Sequence, residues 1–147
     1  MESQPGRKIA VSLVVLLMIV PLNVVHEVGH GFICALYGND YSIALSLFGR
    51  SNVVCHGNDM NRNLYGAAGG LSVTAVSLAL LFMPAIRNNT GIRIGLVSIV
   101  SVSFVNAILE GFFIDFYNAN LLVSEMGLLS VLLMVYIKQW VSIIQNN

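Results

Sequence analysis

The sequence predicts an all-α integral membrane protein of about four transmembrane helices, with a small β-hairpin or strand between the first and second. Three observations predict it. Hydrophobic residues make up 56% of the 147 residues and charged ones only 10%, with a mean hydropathy of +0.81, whereas about a quarter of a soluble domain is charged. Apolar runs recur at about 9–37, 64–86, 94–117 and 121–144, each as long as or longer than the ~20 residues a bilayer needs. Between the first two, apolar residues fall at alternating positions 41, 43, 45 and 47, the period of a half-exposed strand.

At this length the chain makes one membrane-embedded domain, 1–147. Seven basic and seven acidic residues cancel. With no basic stretch present, nucleic acid is not expected as a partner. The lipid bilayer is. Two cysteines, Cys34 and Cys55, do not make a disulfide framework. Cys34 is expected to be a small buried hydrophobe, and Cys55, beside His56, a loop residue.

Residues 1–8 are polar and end in Arg7-Lys8, so with the apolar run behind them they mimic a secretory signal. No small-x-small cleavage site follows before residue 26, and the segment is expected to be an uncleaved anchor. Pro21 should kink the first span, because proline removes one helical hydrogen bond and frees a carbonyl one turn earlier. Gly38-Asn39-Asp40 should end it. Residues 41–48 then fit a strand, 49–52 a turn and 53–56 a short return, although an irregular loop fits this short stretch as well. Residues 58–63 are polar and suit a loop at the membrane surface.

The second span opens with Gly66 and Gly70, the small-x-x-x-small spacing that lets helices approach closely. Residues 87–93 connect it to the third, and Asn88-Asn89-Thr90 there fits the glycosylation acceptor pattern. The third span carries Asn106, Glu110 and Asp115. In the fourth, Glu125 sits near a helix start, where a carboxylate is favoured anyway. Lys138 and Trp140 suit the interface at its far end. Four spans put both termini on one side, with Arg7, Lys8, Arg87, Arg93 and Lys138 there against Arg50 and Arg62 opposite. The positive-inside bias places the termini in the cytoplasm.

Chemistry concentrates in His26-Glu27-Val28-Gly29-His30. Histidines four apart lie one turn apart on one helix face, so both reach one metal ion. A Glu after the first His is the usual general base of such a site. Ionisable groups at membrane depth are costly and mark function by default, so Zn2+ is the expected cofactor, with His26 and His30 as ligands and Glu27 as catalytic base. A catalytic zinc site has a third protein ligand. His26 and His30 lie roughly 25 and 32 Å above Ile9, and Glu110 and Asp115 roughly 24 and 32 Å above Ile94. Depth therefore points to the third span without choosing between its carboxylates.

The segment His26-Glu27-Val28-Gly29-His30-Gly31-Phe32-Ile33-Cys34-Ala35-Leu36-Tyr37-Gly38 resembles the H-E-x-G-H-x-x-x-A-x-x-x-G signature of the site-2 protease family of intramembrane zinc metalloproteases. Gly29 and Gly38 hold their places and Ala35 falls one late. Residues 65–80 resemble that family's glycine-rich helix, with Val73 and Thr74 where it has an Asn. Residues 106–115 are similar to its Asn-x-x-Pro…Asp-Gly segment without the Pro or the final Gly. The resemblance implies cleavage of membrane-spanning protein substrates, a substrate or oxyanion role for Asn106, and a third zinc ligand from this segment. Spacing from Asn106 points to Asp115, while Leu109-Glu110-Gly111 looks like the family's Leu-Asp-Gly. Asp115 is the expected ligand. A helix–helix hydrogen bond is the plainer role for Asn106. A substrate helix must unwind before attack, and the edge of the 41–48 strand is expected to take up the unwound segment by strand addition. The rival classes are a non-proteolytic scaffold, which has no need of Glu27, and a metal carrier, which should carry polar groups on several spans.

Overall fold

Residues 9–36 are apolar almost without interruption, and they form one long, once-broken helical span. A computed structural model of the chain describes residues 5–46, 51–57 and 60–145. In it α1 (Pro5–Leu17) gives way to α2 (Ile19–Leu36) at Met18. The cause is Pro21, which has no N–H to offer the Leu17 carbonyl one turn earlier. The Met18 amide bonds Val15 instead, at 3.0 Å, tightening the last turn of α1. The expected kink is there, three residues ahead of the proline.

Gly38 stops α2. Its φ of +74° is a backbone conformation that favours glycine, and the amides of Gly38 and Asn39 turn back onto the carbonyls of Ala35 and Cys34. The chain then enters β1 (Asp40–Ala44), which pairs antiparallel with β2 (Asn52–His56), Asp40 opposite His56 and Ala44 opposite Asn52. The alternating stretch is thus a hairpin rather than an irregular loop. Positions 47–50 of the expected strand and turn, and 58–59 of the expected surface loop, lie outside the described residues.

The expectation for the cysteines is corrected. Cys34 and Cys55 form a disulfide, with Cα atoms 5.8 Å apart. The hairpin folds back along α2, and the register that sets Cys55 opposite Tyr41 returns it to the end of that helix. Cys34 is indeed fully buried, but as half of a crosslink.

Asn61 caps α3 (Arg62–Phe82) through its side chain to the Leu64 amide, and Asn89 caps α5 (Thr90–Phe112) in the same way to Ile92. The short α4 (Pro84–Arg87) lies between them. The third span, expected to run to 117, ends as a regular helix at Phe112. It turns at Phe113 into the short α6 (Ile114–Ala119), and α7 (Leu121–Gln145) follows.

The centre of the molecule is α3 against α5. There Gly66 and Gly70 bring backbone onto backbone: a Cβ on Gly70 would stand 2.5 Å from the Ser103 carbonyl oxygen, and one on Gly66 would strike the Glu110 carbonyl. Helix α2 packs on α3, while α1 and α7 pack on α5. Ala67, Ala68, Val73, Ile99, Val102 and Ala107 fill the seams. Among the described residues four helical stretches are long and apolar enough to cross a membrane: Gly6–Leu36, Arg62–Phe82, Thr90–Phe112 and Leu121–Gln145.

Candidate metal centre

Helix α2 carries His26 and His30 toward α3, and the residue opposite them is Gly69. A Cβ there would stand 2.5 Å from the Nε2 atoms of both histidines. The missing side chain is what leaves room between the helices. From the other side α5 brings Glu110, its backbone seated against Gly66. The Nε2 atoms of His26 and His30 are 3.1 Å apart. Glu110 Oε2 lies 3.3 Å from the first and 3.8 Å from the second. All three side chains are only 12–15% exposed.

These three atoms fit a zinc ion. Zinc bonds of about 2.0–2.2 Å to nitrogen and oxygen, spread tetrahedrally, hold neighbouring ligand atoms roughly 3.3–3.5 Å apart. Edges of 3.1, 3.3 and 3.8 Å bracket that value. Two His and one Glu is a donor set that catalytic zinc sites use. Glu110 Oε2 is buried and makes no hydrogen bond among the described residues, so a metal ion, or a protonated His26 at 3.3 Å, is what can offset the cost of burying it. Each of the three side chains offers one ligand atom, and the group can hold a metal ion.

His30 Nδ1 lies 2.7 Å from the Tyr65 carbonyl oxygen at the start of α3. This outer contact orients the ring and leaves Nε2 toward the cluster. Glu27 is buried and, with Asn23, His26 and His30, lines a cavity of about 1070 Å³. Its lining also includes Asn52 and Val53 of β2, Asn106 and Glu110 of α5, Arg62 of α3, and Glu125, Leu128, Leu129 and Leu132 of α7.

The structure brings together His26, Glu27, His30 and Asn106 of the residues expected from the sequence, and it moves the third carboxylate. Asp115 is not at the cluster. It sits on α6 with its side chain 90% exposed, 3.6 Å from the Arg62 guanidinium. Five residues separate it from Glu110, roughly 140° around a helix of 3.6 residues per turn, so even an unbroken helix could not aim both at one point. The turn at Phe113 carries α6 further off. Asn106 precedes Glu110 by one turn on the same face of α5 and faces the cavity, its Oδ1 buried and unpartnered among the described residues. The expected strand edge also changes: β2, not β1, borders the cavity.

Two site residues were not singled out in the sequence. Gly69 lies within the glycine-rich opening of the second span, where the Gly66–Gly70 spacing is the pattern that carries a packing signal. Tyr65 acts through its backbone carbonyl, which no residue type announces. No family model, no curated protein and no solved structure matches the chain.

Proposed function

We propose that the chain is a multi-pass integral membrane zinc metalloprotease of the site-2 protease type, hydrolysing peptide bonds of membrane-spanning protein substrates. The observation that carries this reading is the convergence of His26, His30 and Glu110 at three corners of a zinc-sized tetrahedron, with Glu27 buried in the same cavity. A zinc ion held there would lower the pKa of a water to about 7 and polarise a peptide carbonyl.

The chain's own residues supply the rest. Glu27 takes the proton of the attacking water and delivers it to the leaving amine. The contact to Tyr65 holds His30 in one tautomer and orientation. Asn106 offers its amide to the substrate carbonyl or to the charge that develops on it. On the α7 side Leu128, Leu129 and Leu132 give the cavity an apolar stretch beside Glu125, suited to a segment arriving from the bilayer. A substrate helix has its amides bonded internally and must unwind first; β2, at the cavity, is the strand whose edge receives the unwound segment. The balance of Lys and Arg puts the termini in the cytoplasm and the hairpin on the opposite side.

The test is cleavage of a panel of single-span proteins reconstituted with the purified chain in lipid vesicles, beside Glu27→Gln, with products sequenced by mass. Cuts within or next to the spans by the wild type alone are expected. A wild type that holds zinc and cuts none of the panel would favour a non-proteolytic metal-binding membrane protein.

A further inference from the structure

Among the described residues, two side-chain hydrogen bonds and a disulfide tie the hairpin to the helices around the metal cluster. Asn23 Nδ2 donates to Ser51 Oγ over 3.2 Å, one turn before His26. The Tyr65 hydroxyl donates to the Val53 carbonyl over 3.0 Å. The third tie is covalent. Cys34 follows His30 by one turn on the same face of α2, and its partner Cys55 follows Val53 by two residues on β2. A closed circuit results: His30 to the Tyr65 carbonyl, the Tyr65 hydroxyl to Val53, Val53 along β2 to Cys55, and Cys55 back to α2.

We propose that Cys34–Cys55 is a reversible redox lock that fixes β2 beside the histidine cluster, and that a dithiol reductant releases it and weakens substrate engagement. The second half of this proposal rests on reading the cavity as the substrate site. A two-stranded hairpin is marginally stable by itself, so its place depends on what binds it to its neighbours. Of the three ties only the disulfide resists exchange with water. Opening it leaves β2 paired with β1 but joined to the helices through the Tyr65–Val53 bond and, just before the strand, the Asn23–Ser51 bond, and β2 carries Asn52 and Val53 of the cavity wall.

The chemistry is thiol–disulfide exchange. Cys34 is fully buried and Cys55 partly exposed, so the reductant's thiolate attacks Cys55 Sγ and Cys34 leaves as a thiolate that takes up a proton. The reductant's second thiol then resolves the mixed disulfide, freeing the Cys55 thiol and closing the reductant's own disulfide. Two electrons and two protons pass to the chain. The reduced form is provided for: the carbonyl oxygens of Asp40 and Asn39 stand 3.4 and 3.7 Å from Cys34 Sγ, within reach of a thiol hydrogen.

The experiment compares the chain in lipid nanodiscs, oxidised and after dithiothreitol reduction with removal of the reagent under argon, two maleimide-reactive thiols confirming reduction. Hydrogen exchange of the 52–56 amides should accelerate on reduction while that of α3 and α5 stays unchanged. KM for a membrane-spanning substrate should rise about tenfold through lost preorganisation, with kcat and zinc content unchanged. Reoxidation should reverse both, and Cys34→Ser/Cys55→Ser should behave as the reduced chain under either condition. Unchanged exchange over 52–56 in fully reduced chain would overturn the lock, and faster exchange with an unchanged KM would overturn its control of the cavity. Faster exchange in a chain that neither binds zinc nor cleaves would leave the lock standing and remove the protease reading.

Discussion

The His30 ring meets Tyr65 twice: its centroid is 5.0 Å from the tyrosine ring, and its Nδ1 donates to the Tyr65 carbonyl oxygen 2.7 Å away. A carbonyl has no hydrogen to give, so Nδ1 carries the proton and Nε2 of the neutral ring presents a lone pair. That lone pair points to His26 Nε2 at 3.1 Å and Glu110 Oε2 at 3.8 Å. A backbone atom of one helix thus sets the tautomer of a neutral side chain on another.

The proposed third ligand, Glu110, is open to test on the same geometry. Glu110→Ala should lower zinc affinity by more than the roughly 10- to 100-fold that loss of an outer-shell partner costs. Asp115→Ala, which breaks only an exposed pair with Arg62, should leave affinity unchanged. Metal content of the two purified variants decides between them, and the reverse result would return the role to Asp115.

Gly69→Ala should empty the site without unfolding the chain. Alanine in a helix interior is favoured over glycine by about 1 kcal/mol, so the helix itself gains. The new methyl, however, stands 2.5 Å from both Nε2 atoms. Gly127→Ala is the control, since a Cβ there meets nothing within 4 Å; it should keep its zinc. Loss of zinc in the first and not the second, with equal helical circular dichroism, is the expected outcome.

Glu27→Gln should hold zinc as the wild type does and cleave ~100- to 10,000-fold more slowly, the usual cost of losing a general base. Its oxygen remains but its basicity does not. Phenanthroline should abolish wild-type cleavage and added Zn2+ should restore it. Equal rates for mutant and wild type would exclude Glu27 as the base.

Orientation can be read from the crosslink. The positive-inside reading places the hairpin away from the cytoplasm, where disulfides persist. In intact cells, reduction followed by a membrane-impermeant maleimide should label Cys55→Ser less than the wild type by one thiol, Cys55 being the more exposed partner. Labelling that requires cell lysis would invert the topology.

What the sequence by itself determined is what local pattern carries. Composition and apolar run length defined four candidate spans, the i, i+4 spacing put His26 and His30 on one face, Pro21 broke the first span, and Gly38 ended it. Each is a matter of a few neighbouring residues and the geometry of a helix. The alternation over 41–47 marked strand character, though not that it would close into a hairpin. Tertiary structure alone decided which carboxylate meets the histidines, because that depends on the turn at Phe113 and on how α5 seats against Gly66. It decided that Cys34 and Cys55, 21 residues apart, are joined, because a strand register brings them together. It also decided that Gly69 makes the space for the cluster and that the Tyr65 carbonyl orients His30. Those last two are properties of an absent side chain and of a backbone atom, and they acquire meaning only when two helices come into contact.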